Sequence, residues 1–182
     1  GDSGSASYEV VFQGPLRSRF RLIFSDWKVE EEMVRVNHQI QIVAGRHCYG
    51  NLVTYSGTEA SMDLVPGIVN MLSDSLHLLP LNDQYTALLT HDRQSEDGSL
   101  LSMALIVPAS YLLSTGETRD EGEGIIQTYY AVLDASPDES QMYRFYALWE
   151  REDPRWSSLD GINSYLQKEA ERLSQSLVYS NQ

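Results

Sequence analysis

At 182 residues, with 42% hydrophobic side chains, the chain is long enough for one domain with a real core, or for a piece of a larger one. Its 13 Lys+Arg against 26 Asp+Glu leave a net charge of -13, which argues against nucleic acid and anionic membrane surfaces as partners. The single cysteine, Cys48, excludes an internal disulfide framework, and no apolar run is long enough to span a membrane as a helix.

Residues 1–7 are small and polar and are expected to form a disordered leader, ahead of a single domain over residues 8–182. The opening lacks the charged start and hydrophobic middle of a signal peptide, although a mature secreted protein would look the same. Strands are predicted over residues 8–12 and 16–24, with Gly14-Pro15 between them. Residues 9–15 also match a viral-protease cleavage sequence used in cloning, so a vector remnant is a second reading of that segment.

The second strand carries the strongest pattern. Leu16, Phe20, Leu22 and Phe24 fall on one face, while Arg17, Arg19 and Arg21 fall on the other. Three scarce cations on one strand face repel one another unless anions lie beside them. Two readings follow: a solvated face balanced by acidic neighbours, or a floor for an anionic ligand gripped by planar guanidinium forks.

Ser25-Asp26 is expected to turn the chain into a strand over residues 33–43, where Val34, Val36, His38, Ile40 and Ile42 share a face. Ala44-Gly45 ends it, and residues 46–55 form the next strand. Pro66-Gly67 suggests a bulge or an edge, and residues 72–80 a loop or short helical turn. Residues 85–91 read as strand and Glu96-Asp97-Gly98-Ser99 as a hairpin turn. Residues 100–107 are apolar throughout, as in a strand buried on both faces. An acidic, glycine-rich loop at 116–124 precedes the last two strands, at 125–133 and 141–149.

Leu159, Ile162, Leu166, Ala170, Leu173 and Leu177 recur at helical steps, so residues 157–177 are predicted to be an amphipathic helix capped by Ser157. Many strands followed by one helix describe a mainly β chain: an antiparallel β-sandwich with a C-terminal α-helix.

None of His38, His47, His77 and His91 has metal-ligand spacing, and the phosphate-loop, nucleophile-elbow and dinucleotide motifs are missing, so no metal or cofactor is implied. His38 reads as a core histidine. His47 alternates with Tyr49, Asn51 and Tyr55, polar-tipped residues that suit either a half-exposed sheet face or a sugar-binding surface.

Several short elements now stand together. They are Gly14-Pro15-Leu16-Arg17 running toward Trp27, Ala44-Gly45-Arg46-His47, Gly67-Ile68-Val69, and Tyr146-Ala147 with Trp149 ahead of a closing helix that begins near Trp156. Together they resemble the bacterial family called domain of unknown function 4861, over about residues 10–177. The resemblance implies a β-supersandwich like that of galactose mutarotase. It also implies a periplasmic or extracellular setting in polysaccharide breakdown, beside enzymes acting on uronic-acid sugars. Members of that family are longer, so the chain corresponds to their C-terminal part or to a shortened relative, with a missing N-terminal portion as its natural partner.

Three classes of function stay open, the first an enzyme that breaks acidic oligosaccharides by elimination or hydrolysis. In an elimination across a uronate, Arg17 or Arg19 would neutralise the carboxylate, His47 would take the ring proton, and Tyr49 or Tyr55 would protonate the leaving oxygen. Arg21 and Asn51 would help hold the sugar. Hydrolysis would instead need two carboxylates, for which Glu59 and Asp63 are available. A non-catalytic carbohydrate-binding or accessory domain would use the same residues without chemistry. A sugar mutarotase or epimerase rests on fold resemblance alone.

Overall fold

The computed structural model describes residues 4–180, with side chains described to residue 175. Over these residues the chain is mainly β, its sheets are antiparallel, and it ends in a long α-helix. This is the β-sandwich class with a terminal helix that the alternation predicts. The chain divides into two compact units, residues 1–64 with 133–144 and residues 65–132 with 145–182.

The first unit is built on an antiparallel meander of β1 (Ser5–Gln13), β2 (Arg17–Val29), β3 (Glu32–Val43) and β4 (Cys48–Ser56). The opening residues of β12 (Gln141–Trp149) lie beside β4. A short ladder between β5 (Met62–Leu64) and the end of β11 (Thr128–Ala135) completes the unit. β1 starts at Ser5, so its first residues fall inside the segment read as a leader, while residues 1–3 lie outside the described residues. Glu9 and Gln13, within the segment that matches a cleavage sequence, are paired with β2.

Ser25-Asp26 does not turn the chain. β2 continues to Val29, and the pairing shifts by one residue between Phe24 and Trp27. Asp26 sits at φ 59°, a conformation that aspartate tolerates better than most residues, so the ladder absorbs it as a bulge. The turn falls instead at Glu30-Glu31, between the paired residues Val29 and Glu32.

The second unit contains β6 (Gly67–Val69), β7 (His77–Pro80), β8 (Tyr85–Asp92), β9 (Leu101–Pro108), β10 (Leu112–Glu117), most of β11, the rest of β12 and α1 (Leu159–Ser180). β7, β8 and β9 pair in order. Ala87, Leu88 and Leu89 on β8 and Ala104 to Val107 on β9 are buried without alternation, so both faces of this sheet are covered. β6 lies against β9, and α1 against β8.

β10 is an element the sequence does not predict, and its last two residues, Gly116 and Glu117, fall at the start of the expected loop. It pairs with β11, and at Gly116 an added Cβ would sit 2.5 Å from the Tyr130 hydroxyl. Glycine is therefore needed for close approach at that point rather than for a turn. β7, in the segment read as loop or helical turn, is four residues long and ends at Pro80.

The helix begins one element later than its sequence signal. Pro154–Ser157 forms a 3-10 turn capped by Asp153, and the Ser157 hydroxyl donates back to Pro154 O. Ser158 therefore caps α1, its Oγ accepting from Gly161 N at 3.3 Å. Ile162, Leu166, Ala170 and Leu173 form the buried stripe, and Leu177 lies outside the described side chains. Tyr165, on the same helix, meets the rings of Tyr146 and Trp156 edge-on. Leu166 is completely buried, so Leu166→Ala is expected to lower unfolding stability by roughly 2–5 kcal/mol in urea melts.

His91 is half-buried, 2.7 Å from Ser102 Oγ. Burial pulls its pKa below the usual 6.5; Asp92, Glu150 and the Ser157 backbone oppose the shift, and His77 adds to it. The unfolded chain therefore takes up this proton at higher pH than the folded one, and stability falls as pH drops through about 6.5. His91→Gln should flatten that fall; urea midpoints on either side of pH 6.5 check it.

Candidate functional site: an arginine-bearing sheet face

Residues directly opposite in an antiparallel ladder point to the same side. In the first unit Arg17 pairs with Val43, Arg19 with Gln41, Arg21 with Gln39 and Ile23 with Asn37. Across the next ladder Gln41 pairs with Gly50, Gln39 with Leu52 and Asn37 with Thr54. The three arginines thus face the same side as two glutamines, an asparagine and a glycine. β12 adds Met142 and Arg144, which line the same hollow.

The guanidiniums are held by neutral groups more than by acids. Arg19 donates twice to Gln41 Oε1, at 3.2 and 2.7 Å. The guanidinium carbons of Arg17 and Arg19 lie 4.7 and 5.6 Å from the centre of the Phe12 ring. Plain alternation would put Phe12 with Tyr8 and Val10 on the other face. The pairing shifts between Val10 and Phe12, and this bulge at Val11 re-aims the ring beneath the two cations. Arg21 makes the one ion pair recorded for this face among the described residues, to Glu9 at 3.3 Å. Glu9 is more than half exposed while Arg21 is partly buried, so water screens the pair from the Glu9 side and it is weak. The Nε atoms of Arg21 and Arg144 are buried with no hydrogen-bond partner.

At the centre lies a hollow of about 160 Å³ bordered by Arg19, Gln39, Gln41, Gly50, Leu52 and Arg144. Gly50 creates it: a Cβ there would meet nothing nearer than Gln41 O at 4.0 Å. The hollow thus offers two guanidiniums and two amides around an open floor, which suits a carboxylate or sulfate with hydroxyls beside it.

The remaining predicted site residues are elsewhere. Tyr49 pairs with Ile42, Asn51 with Ile40, and Tyr55 with Val36. All three side chains therefore lie on the side opposite the arginines; Asn51 also borders the hollow, which this register allows only through its backbone. His47 lies in the bend ahead of β4, outside the paired ladder. Arg17, Arg19 and Arg21 are brought together; His47, Tyr49, Asn51 and Tyr55 do not join them. Asp63 pairs with Asp134 in the short β5 ladder, and neither it nor Glu59 borders the hollow.

Tyr55 is also unavailable as an acid. It is only 8% exposed, and its hydroxyl accepts from Met62 N at 3.0 Å while lying 3.0 Å from Ala135 O and 3.1 Å from Ala60 O. One phenol ties three backbone groups together. Arg144 was not singled out in the sequence, where it reads as one more residue of the last strand. Gly50 inside a strand was the available signal, since glycine there often marks close approach or a ligand.

Among the described residues no three or more His, Cys, Asp or Glu side chains are grouped to hold a metal ion, and no helix is long and apolar enough to cross a membrane. Fold and site define an antiparallel β protein with a helical end and a cationic, amide-lined sheet face. A family model described as Domain of unknown function (DUF4861) matches residues 2–178, and the chain belongs to that family. No curated protein matches the chain.

Tyr55→Phe removes the hydroxyl hub and should cost about 1–3 kcal/mol of stability, because buried backbone groups lose a partner. Urea unfolding of the purified variant measures this, and a change below a few tenths of a kcal/mol would contradict the structural role.

Proposed function

We propose that the first unit binds acidic oligosaccharides through its arginine face and does not turn them over. The observation that carries the reading is the hollow at Gly50, with Arg19 and Arg144 on its border and the amides of Gln39 and Gln41 between them. A uronate carboxylate would take a two-pronged grip from a guanidinium, and the amides would bond neighbouring hydroxyls. The uronic-acid setting implied by the family resemblance is consistent with this chemistry.

The lining argues against elimination. Arg, Gln, Gly, Leu, Met and the Asn51 backbone supply charge and hydrogen bonds, but no group that could carry a proton away near neutral pH. The tyrosines assigned to proton transfer sit across the sheet from the cations meant to activate the substrate.

The net charge of -13 opposes long polyanions at a distance. That repulsion is damped beyond about 8 Å at physiological ionic strength. Short acidic oligomers or chain ends, which place one carboxylate in the hollow, are favoured over extended polyanions.

Calorimetric titration with trigalacturonate tests the reading. Arg19→Ala and Arg144→Ala should each weaken binding about tenfold or more, as for loss of a charge-assisted hydrogen bond. Gly50→Val should fill the hollow and abolish binding while the thermal midpoint changes little, since the added Cβ meets open space. Equal affinities for all three variants and the parent protein would overturn it. An unsaturated product absorbing in the near ultraviolet would reinstate elimination.

A further inference from the structure

The opposite face of the same meander is chemically different. Its register positions carry Tyr8, Leu22, His38 and Val53 in one row and Val10, Phe20, Ile40 and Asn51 in the next, with Ile42 and Tyr49 beyond them. No charged side chain occupies these positions. Much of the face is open: Tyr8 is 63% exposed, Ile42 48% and Tyr49 38%.

Polar tips interrupt the apolar rows at one place. His38 Nε2 lies 2.8 Å from Asn51 Oδ1, which can only accept, so Nε2 carries the proton and Nδ1 is left as an acceptor. Asn51 is 2% exposed, and its Nδ2 has no hydrogen-bond partner. A buried donor left unpaired is costly, and native proteins keep few of them without a role. The Tyr143 ring lies beside His38, with centroids 6.5 Å apart. Burial and the neighbouring Tyr49 push the Tyr143 phenol up to about 12, and burial also raises Tyr49. Both phenols therefore keep their protons and can donate throughout the physiological range.

We propose that Tyr49, Tyr143, His38 and Asn51 form a second binding surface, for an uncharged sugar ring. Two phenol rings offer faces on which sugar C–H groups stack. His38 Nδ1 accepts and the two phenols donate, the combination that a hydroxyl pair on one pyranose ring satisfies, while buried Asn51 holds the His38 ring in position from beneath. The lack of charge on the face separates this ligand from the acidic one proposed for the arginine side. A sheet from another protein would instead favour an unbroken apolar surface over one interrupted by an unpaired amide. The surface does not depend on the arginine hollow, and the two face away from each other across a single sheet.

The test is titration of the protein, carbon-13 labelled at tyrosine, with galactotetraose, mannotetraose and cellotetraose at high salt. At least one should bind at millimolar concentration and shift the Tyr49 and Tyr143 signals. Tyr49→Ala, at a partly exposed position that the fold tolerates, should weaken that binding about tenfold, and Tyr143→Phe should weaken it less because the ring remains. Arg19→Ala and Arg144→Ala should leave it unchanged, which separates this surface from the acidic-sugar site. The proposal is overturned if none of the three binds, or if Tyr49→Ala binds as well as the parent. It is likewise overturned if the arginine variants lose the neutral sugar, or if Tyr49→Ala alters only the sedimentation coefficient, which would mark a face between copies of the chain.

Discussion

The cross-strand register of β2, β3 and β4 is the constraint on which everything functional depends. Side chains alternate along a strand, so pairing Arg19 with Gln41 and Gln41 with Gly50 commits every neighbour to a side. A slip of one residue in either ladder would put the tyrosines beneath the guanidiniums and fill the hollow with Tyr49 or Asn51. The register is set by the bulges in β1 and β2 and by the Ala44-Gly45 turn, with Gly45 at φ 72°. A non-glycine side chain at that φ would be strained.

Charge placement follows from that register. The protein has twice as many acidic as basic side chains, yet Arg17, Arg19, Arg21 and Arg144 gather on one face with one weak ion pair, Arg21 to Glu9, among the described residues. Amides and an aromatic ring hold the cations in place without neutralising them. Gln41 fixes Arg19 by two hydrogen bonds, and the bulge at Val11 brings Phe12 under Arg17 and Arg19. An acidic neighbour would have stabilised the folded chain more simply. Neutral partners orient the forks and leave their charge for a ligand.

Much of this was legible in the sequence, and the part that was not has a physical reason. Strands with sustained alternation, such as β2 and β3, and the apolar run of β9 declare themselves, as does the helical stripe through Ile162, Leu166, Ala170 and Leu173. The arginine ladder is visible because it lies within one strand. The association of that ladder with His47, Tyr49, Asn51 and Tyr55 failed because alternation tells which residues share a face of their own strand. It does not tell how the faces of two strands coincide; that is decided by turn geometry and by bulges. The bulges at Val11 and Asp26 each rest on one residue and leave no periodic trace. β7 and β10 are too short to show a period, and Arg144 joins the site only through the pairing of distant strands. His38, read as a core residue, proved to be the histidine placed beside Tyr143, and its partner Asn51 lies on a different strand.

The most direct measurement is nuclear magnetic resonance of the arginine Nε–H groups and the Gly50 amide while a short uronic-acid oligomer is added. The account predicts saturable shifts of Arg19, Arg144 and Gly50, with the Tyr49 and Tyr143 rings unmoved. Shifts confined to the tyrosine side, or none at the arginines with the ligand in excess, would contradict it.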